Sequence, residues 1–285
     1  MSFSNTFINI INHIEDQNQS ADPRGLKVKE SILSNFVIDP KEPIANFEKR
    51  SFNWKYLAGE LAWYLDQDRD VDFIGSFSNF WGTLTNPGTN EINSNYGSLI
   101  FNKEQFGWVI DSLVADKNSR QAIMFFNQPK FQFEGNKDFV CTMYANFFIR
   151  DNKLNMKVQM RSNDIFYGLT FDAPYFSFIH QHMRLWLLET YPELELGTYY
   201  HCADNIHFYE RHFDMSSKIV SESEEQGSNY TMNIENPLFN LTKDNMILTE
   251  YGINFMRDIN EAVSNESKQI TYNNILREYL NIRLT

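Results

Sequence analysis

Two cysteines in 285 residues, Cys141 and Cys202, are too few for a disulfide framework. They stand far apart with no ligand spacing around them, which predicts no metal site. Positive charge is also scarce: 25 Lys and Arg against 37 Asp and Glu leave a formal net charge of -12, with the acidic residues dispersed. That balance disfavours general binding to nucleic acid, so any phosphate must be held by a few placed arginines. No apolar run approaches the ~20 residues that cross a bilayer, and the first residues lack the basic-then-apolar order of a secretion signal. No Pro/Gly/Ser-rich linker divides the chain; the nearest candidate, Ser221 to Ser228, reads as a surface loop. The expectation is one domain over residues 1–285, in a reducing cytoplasm, without direct nucleic-acid or membrane partners.

Aromatic side chains are plentiful, 15% of the chain with 25 Phe, which suits a large core but names no activity. The chemistry concentrates between Phe139 and Tyr175. Leu154, Met156, Val158 and Met160 alternate with Asn155, Lys157 and Gln159, the two-residue repeat of a half-buried strand. The aromatic-rich run Met143 to Arg150 ends at Asp151-Asn152-Lys153, a polar turn between two apolar runs. An antiparallel pairing brings Cys141, entering one strand, and Arg161, leaving its neighbour, to the same end of a sheet. Arg161, Ser162 and Asp164 then surround whatever Cys141 attacks. A Gly168-Leu169-Thr170-Phe171-Asp172 turn follows.

Apolar spacing predicts helices over residues 3 to about 17, 54 to 65, 105 to 115, 175 to 188 and 246 to 263, and a strand over 122 to 126. His180 and His182 are two apart and face different directions on their helix, so they are poor joint metal ligands. Three positions read two ways. Arg24, in the turn Asp22-Pro23-Arg24-Gly25, is a solvated loop arginine or a phosphate clamp. Glu60, on an apolar helix, is a rim carboxylate or one with a raised pKa suited to proton transfer. His207 and Tyr209 are a satisfied interior pair or ligands.

Cys141, Arg161-Ser162-Asn163-Asp164, Gly168-Leu169-Thr170-Phe171 and Asp172 together resemble, without gaps, the thymidylate synthase family, whose pattern is a nucleophilic Cys, a strand pair of fixed length, Arg-Ser-x-Asp, Gly-Leu-x-Phe and then Asn or Asp. Glu60-Leu61-Ala62-Trp63-Tyr64-Leu65 matches the family's Glu-Leu-x-Trp-x-Leu helix. The resemblance covers about residues 20 to 212. It implies an α+β fold with a large mixed or antiparallel sheet, packed helices and a homodimer formed through the sheets. It also implies a pyrimidine nucleoside monophosphate substrate and 5,10-methylenetetrahydrofolate as co-substrate, released as tetrahydrofolate. By the same resemblance Cys141 is the nucleophile and Glu60 directs protons. Arg24, Arg161, Ser162 and Arg120 of the partner subunit hold phosphate, His207 and Tyr209 the sugar, and Trp81 and Asp164 the folate. The thiol's pKa must be lowered by nearby cations, with Arg161 the obvious candidate.

At Asp172 thymidylate synthases have asparagine, which suits uracil. An aspartate there resembles the phage deoxycytidylate hydroxymethylase branch and implies dCMP, because a carboxylate accepts from the 4-amino group and, sharing a proton, supports protonated N3. Thr142 after the nucleophile points the same way. Val140 replaces the usual proline, Gln121 replaces a second arginine, and no short apolar C-terminal tail is visible. A different tail would leave a methylene intermediate open to water, favouring 5-hydroxymethyl-dCMP; methyl transfer to dCMP or dUMP, or hydroxymethylation of CMP or dUMP, are the alternatives.

Overall fold

A computed structural model describes residues 2–221, 227–242 and 245–285. Residues 222–226 of the expected surface loop lie outside the described residues. The fold is mixed α+β, organised on a sheet of seven strands. Gln19–Ala21, Val28–Ile38, Glu195–Tyr209, Lys153–Met160, Thr142–Arg150 and Ile123–Phe125 follow one another across it, and Asn163–Asp164 joins Glu195–Tyr209 at its end. Neighbours run antiparallel except that Lys153–Met160 and Asn163–Asp164 lie parallel to Glu195–Tyr209.

The central hairpin forms because Asp151 and Asn152 both adopt positive φ, 49° and 57°, the backbone that a two-residue turn needs to match the twist of its strands. Ala145, Phe147, Ile149, Leu154, Met156 and Val158 are buried on one face of it. Against that face packs the long helix Thr170–Leu187, whose Phe176, Ile179, Met183 and Leu187 are fully buried. The opposite face carries Tyr144, Phe148, Lys157 and Gln159, half-buried, and the exposed Phe125, Val37 and Tyr200.

Phe3–Gln17 is helical and ends at Asn18 in the left-handed conformation. Trp54–Asp66 is the helix that carries Glu60. Its start is held from the far end of the chain: Gln269 Oε1 accepts from Lys55 N at 2.8 Å, and Gln269 Nε2 donates to Asn53, whose side chain caps Tyr56 N. Its finish is held by Asn95, whose Nδ2 donates to Trp63 O and Asp68 O.

Two expectations are corrected. Residues 246 to 263 are not one helix: Met246–Leu248 is a strand paired with Phe239–Leu241, and the helix Glu250–Ser264 begins after Thr249, whose hydroxyl accepts from Gly252 N. Gly168 to Asp172 is no turn. Asp164 Oδ1 accepts from the amides of Phe166 and Tyr167, and this cap starts a π-helical segment, Ile165–Leu169, that runs straight into Thr170–Leu187. Asp204 sits inside the continuous strand Glu195–Tyr209, and His207 and Tyr209 stay paired in the sheet, opposite Glu30 and Val28.

Gly97, in the short helix Tyr96–Ile100, packs directly on the backbone of Tyr64, and a Cβ there would overlap the Tyr64 carbonyl. Gly97→Ala is expected to lower unfolding free energy by about 3 kcal/mol. Gly75→Ala, which meets open space, should leave it nearly unchanged; chemical denaturation followed by far-UV circular dichroism measures both.

Candidate active site

The hairpin register brings Cys141 and a cation together. Arg161 N donates to Cys141 O at 2.9 Å, continuing the ladder one step past the paired strands. The guanidinium then turns back: Nη2 reaches the Cys141 Sγ at 3.4 Å and also donates to Phe139 O, while Nε donates to Val140 O at 3.2 Å. Asn127 Nδ2 holds Val140 O from the other side at 2.7 Å. The stretch before the cysteine is therefore fixed by side chains from two other segments, Arg161 and Asn127. The expectation of a lowered thiol pKa is corrected. Burial pushes the Cys141 thiol up and outweighs the downward pull of Arg161 and Arg24, which Asp172 and Asp138 oppose. Thiolate formation at Cys141 therefore needs this burial to be offset.

Glu60 is 7% exposed and its pKa is pushed up to about 8, first by burial and then by the nearby carboxylate of Asp172, against hydrogen bonds from Tyr56 and Tyr64. Tyr56, one helical turn earlier, donates its hydroxyl to Glu60 Oε1 at 2.9 Å and accepts from Trp81 Nε1 at 3.1 Å. Trp81 thus joins the glutamate through a tyrosine, and its ring lies 5.1 Å from that of Trp63.

Asp172 lies in the first turn of Thr170–Leu187, where burial raises its pKa to about 6 against the hydrogen bond from Asn163. Asp164 is also raised to about 6 by burial, opposed by its two backbone hydrogen bonds and by Arg211 and Arg50. Its Oδ2 is buried without a partner among the described residues. Asp164 pairs in register with His207, whose Nδ1 lies 2.8 Å from Asn205 Oδ1 and whose pKa burial and Arg161 depress to about 4. The His207 and Tyr209 rings meet edge-on at 5.2 Å, with the Arg211 guanidinium 4.5 Å over Tyr209.

Arg24 is exposed, in the left-handed conformation at φ 56°, and acts electrostatically on both Cys141 and Tyr209. Ser162 is half-buried beside Arg161. Arg120 is exposed and makes no hydrogen bond or ion pair among the described residues. Cys141, Glu60, Asp172, Asp164, Arg161, His207, Tyr209, Trp81 and Arg24 are thus linked into one region; Arg120 is not tied to it within the chain. No group of three His, Cys, Asp or Glu that could hold a metal ion occurs among the described residues, and none of their helices is long and apolar enough to cross a membrane.

The thymidylate synthase family model matches residues 5–263. The chain belongs to the thymidylate synthase family. This match is wider than residues 20 to 212. Among relatives, the deoxycytidylate 5-hydroxymethyltransferase of Enterobacteria phage T6 is 31% identical over 210 residues, covering 70% of this chain and 83% of that protein. The deoxyuridylate hydroxymethyltransferase of Bacillus phage SP01 is 29% identical over 223 residues, 71% and 56% of the two chains. A thymidylate synthase of Mycoplasma genitalium is 20% identical over 235 residues, 71% and 80%. The protein is thus a thymidylate synthase-like one-carbon transferase, of a family whose enzymes use methylenetetrahydrofolate as co-substrate.

Sequence reasoning missed Tyr56, Arg50 and Arg211. Tyr56 was detectable as the residue four before Glu60 on one helix face. Arg50 and Arg211 carry no motif of their own; Arg50 is buried enough for its pKa to fall to about 10, and it donates to Phe166 O.

Glu60, Asp164 and Asp172 all have folded pKa values above their unfolded ones, so the folded protein holds more protons than the unfolded chain between about pH 4 and 8. Their contribution to stability is complete below about pH 4 and is lost as pH rises through 6 and then 8. Glu60→Gln is expected to be more stable than wild type by about 2 kcal/mol or more at pH 9, with the gap closing toward pH 4; urea denaturation across that range measures it.

Proposed function

We infer that the protein transfers the one-carbon unit of methylenetetrahydrofolate to C5 of dCMP and adds water, forming 5-hydroxymethyl-dCMP. The observation that carries this reading is a buried aspartate, Asp172, where thymidylate synthases have asparagine, with a pKa of about 6 that lets it share a proton. The similarity to phage deoxycytidylate 5-hydroxymethyltransferases supports the same assignment.

Pyrimidine C5 is a poor nucleophile until a thiolate adds to C6. Cys141 forms the Sγ–C6 bond, and the electron pair this releases makes C5 able to attack the one-carbon unit. Asp172 accepts from the 4-amino group and stabilises the charge that builds at N3. Glu60, wired to Tyr56 and Trp81, relays the C5 proton. With the C5 proton lost, the bond between the transferred carbon and the folate nitrogen would break, its electron pair going to that nitrogen, and an exocyclic methylene would remain on the ring. Water adds to that carbon, and Cys141 leaves as C5–C6 unsaturation returns. No redox step is needed. Asp164 fits the co-substrate side: its Oδ2 is a buried acceptor lacking a donor, as a ring N–H would supply. Arg24, Arg161 and Ser162 serve the phosphate, His207 and Tyr209 the sugar, and Trp81 the folate.

The uncovered sheet face supports a homodimer. Val37 is 53%, Phe125 50% and Tyr200 40% exposed on it, and Arg120 stands free to reach across to a partner's nucleotide. Sedimentation equilibrium should give about twice the 33.7 kDa chain mass; a monomer at micromolar concentration would remove Arg120 from the phosphate site.

Mass spectrometry of dCMP incubated with protein and methylenetetrahydrofolate is expected to find a gain of CH2O, absent with Cys141→Ala. Asp172→Asn should shift preference toward dUMP by about a hundredfold or more. A gain of CH2 would replace this reading with methyl transfer.

A further inference from the structure

A line of side chains leads from Asp172 into the covered face of the sheet. Asn163 Nδ2 donates to Asp172 Oδ2 at 2.6 Å. Asn163 Oδ1 lies 3.2 Å from His201 Nε2, and His201 Nδ1 lies 2.7 Å from the Tyr199 hydroxyl. Tyr199 and His201 are fully buried, and Asn163 is nearly so. The His201 ring stacks on Phe36 at 5.0 Å. Gly168 makes the first link possible, since a Cβ there would stand 2.7 Å from Asn163 Nδ2 and 3.2 Å from Asp172 Oδ2.

Every link in such a chain has a direction. In one polarity the Tyr199 O–H donates to Nδ1, Nε2–H donates to Asn163 Oδ1, and Nδ2–H donates to Asp172. The reverse polarity needs a proton on Asp172 Oδ2, an amide flip and the other imidazole tautomer. It would also strand the Tyr199 O–H, which has no other acceptor among the described residues, and a buried donor left unpaired is disfavoured. Tyr199 therefore decides the direction. Burial keeps His201 neutral, depressing its pKa to about 3, so the ring can report one tautomer across the working pH range.

The geometry points to Tyr199 and His201 as positioning residues for base selection: they lock Asn163 so that it always presents a donor to Asp172 Oδ2, which keeps that oxygen proton-free and leaves the shared proton on Oδ1. An acid with its proton on one oxygen and a bare acceptor on the other matches cytosine, which offers an unprotonated N3 and a 4-amino donor. Uracil, with N3–H and O4, meets like against like at both positions. This specificity role rests on the proposed dCMP reading; the polarity itself does not.

The test uses Tyr199→Phe, which removes one hydroxyl and keeps the ring, in the full chain. Asp172 is faced by Glu60, Asp164 and Cys141 and by the hydroxyls of Tyr56, Tyr96, Tyr175 and Tyr199, so its titration is read directly from the 13C shift of its carboxyl. The His201 tautomer is read from its ring 15N shifts. Without nucleotide, wild type is expected to show neutral His201 protonated on Nε2. In Tyr199→Phe the Nδ1–H form becomes populated and the Asp172 midpoint rises, because the Asn163 donor that lowers it is lost part of the time. The ratio of kcat/KM for dCMP over dUMP is expected to fall about tenfold. His201→Gln, whose amide can still donate to Asn163 Oδ1, should retain most of that ratio, and His201→Leu should not. Unchanged tautomer and midpoint in Tyr199→Phe, or a changed midpoint with an unchanged ratio, would overturn the inference. Wild type showing the Nε2–H form while turning over neither nucleotide supports the locked polarity and instead refutes the dCMP reading.

Discussion

The hydrogen bond from Arg161 N to Cys141 O is the constraint on which the site depends. It closes the end of a hairpin whose two-residue turn, Asp151-Asn152, lies at the opposite end of the strands. The pair carries one irregularity, at Met143 between Thr142 opposite Met160 and Tyr144 opposite Gln159, and because side chains alternate with a period of two, a further slip of one residue would send Arg161 to the other face of the sheet and leave the thiol without its cation. The buried stripe Ala145, Phe147, Met156 and Val158 makes such a slip expensive. Hydrophobic burial along the strands is thus what holds a charged side chain 3.4 Å from the Cys141 thiol at their end.

Three carboxylates are then placed where they are hard to ionise. Glu60, Asp164 and Asp172 come from a helix, a strand end and a helix start, and each is raised chiefly by burial. A fold selected for stability alone would avoid this. Such placement suits proton exchange near neutrality, and the surrounding donors limit how far each is shifted: Tyr56 and Tyr64 for Glu60, backbone amides for Asp164, Asn163 for Asp172. The C-terminal helix Gln269–Leu280, which carries no recognisable motif, contributes by bracing the start of the Glu60 helix through Gln269.

Much of this was legible in the order of residues. The central strands, the opening helix and the Glu60 helix follow from periodicity, since a single buried face imposes it. Local patterns failed where another element supplied the deciding interaction. The helix expected from 246 was cut short because Met246–Leu248 found a strand partner in Phe239–Leu241. The expected turn at Gly168 became helix because Asp164 capped it, a bond made four residues earlier. Cys141 was expected to be acidified by Arg161, yet burial from distant segments outweighs one guanidinium.

The sequence by itself determined the family, the strand pairing around Cys141 and the candidate residues, because these reside in motifs a few residues long and in alternation along single elements. Only the tertiary structure decided which way the protons run. Trp81, Tyr56 and Glu60 come into line across two segments, and Tyr199, His201, Asn163 and Asp172 across three. Hydrogen bonds depend on distances of tenths of an ångström and on burial that excludes water, and neither is a property of neighbours along the chain.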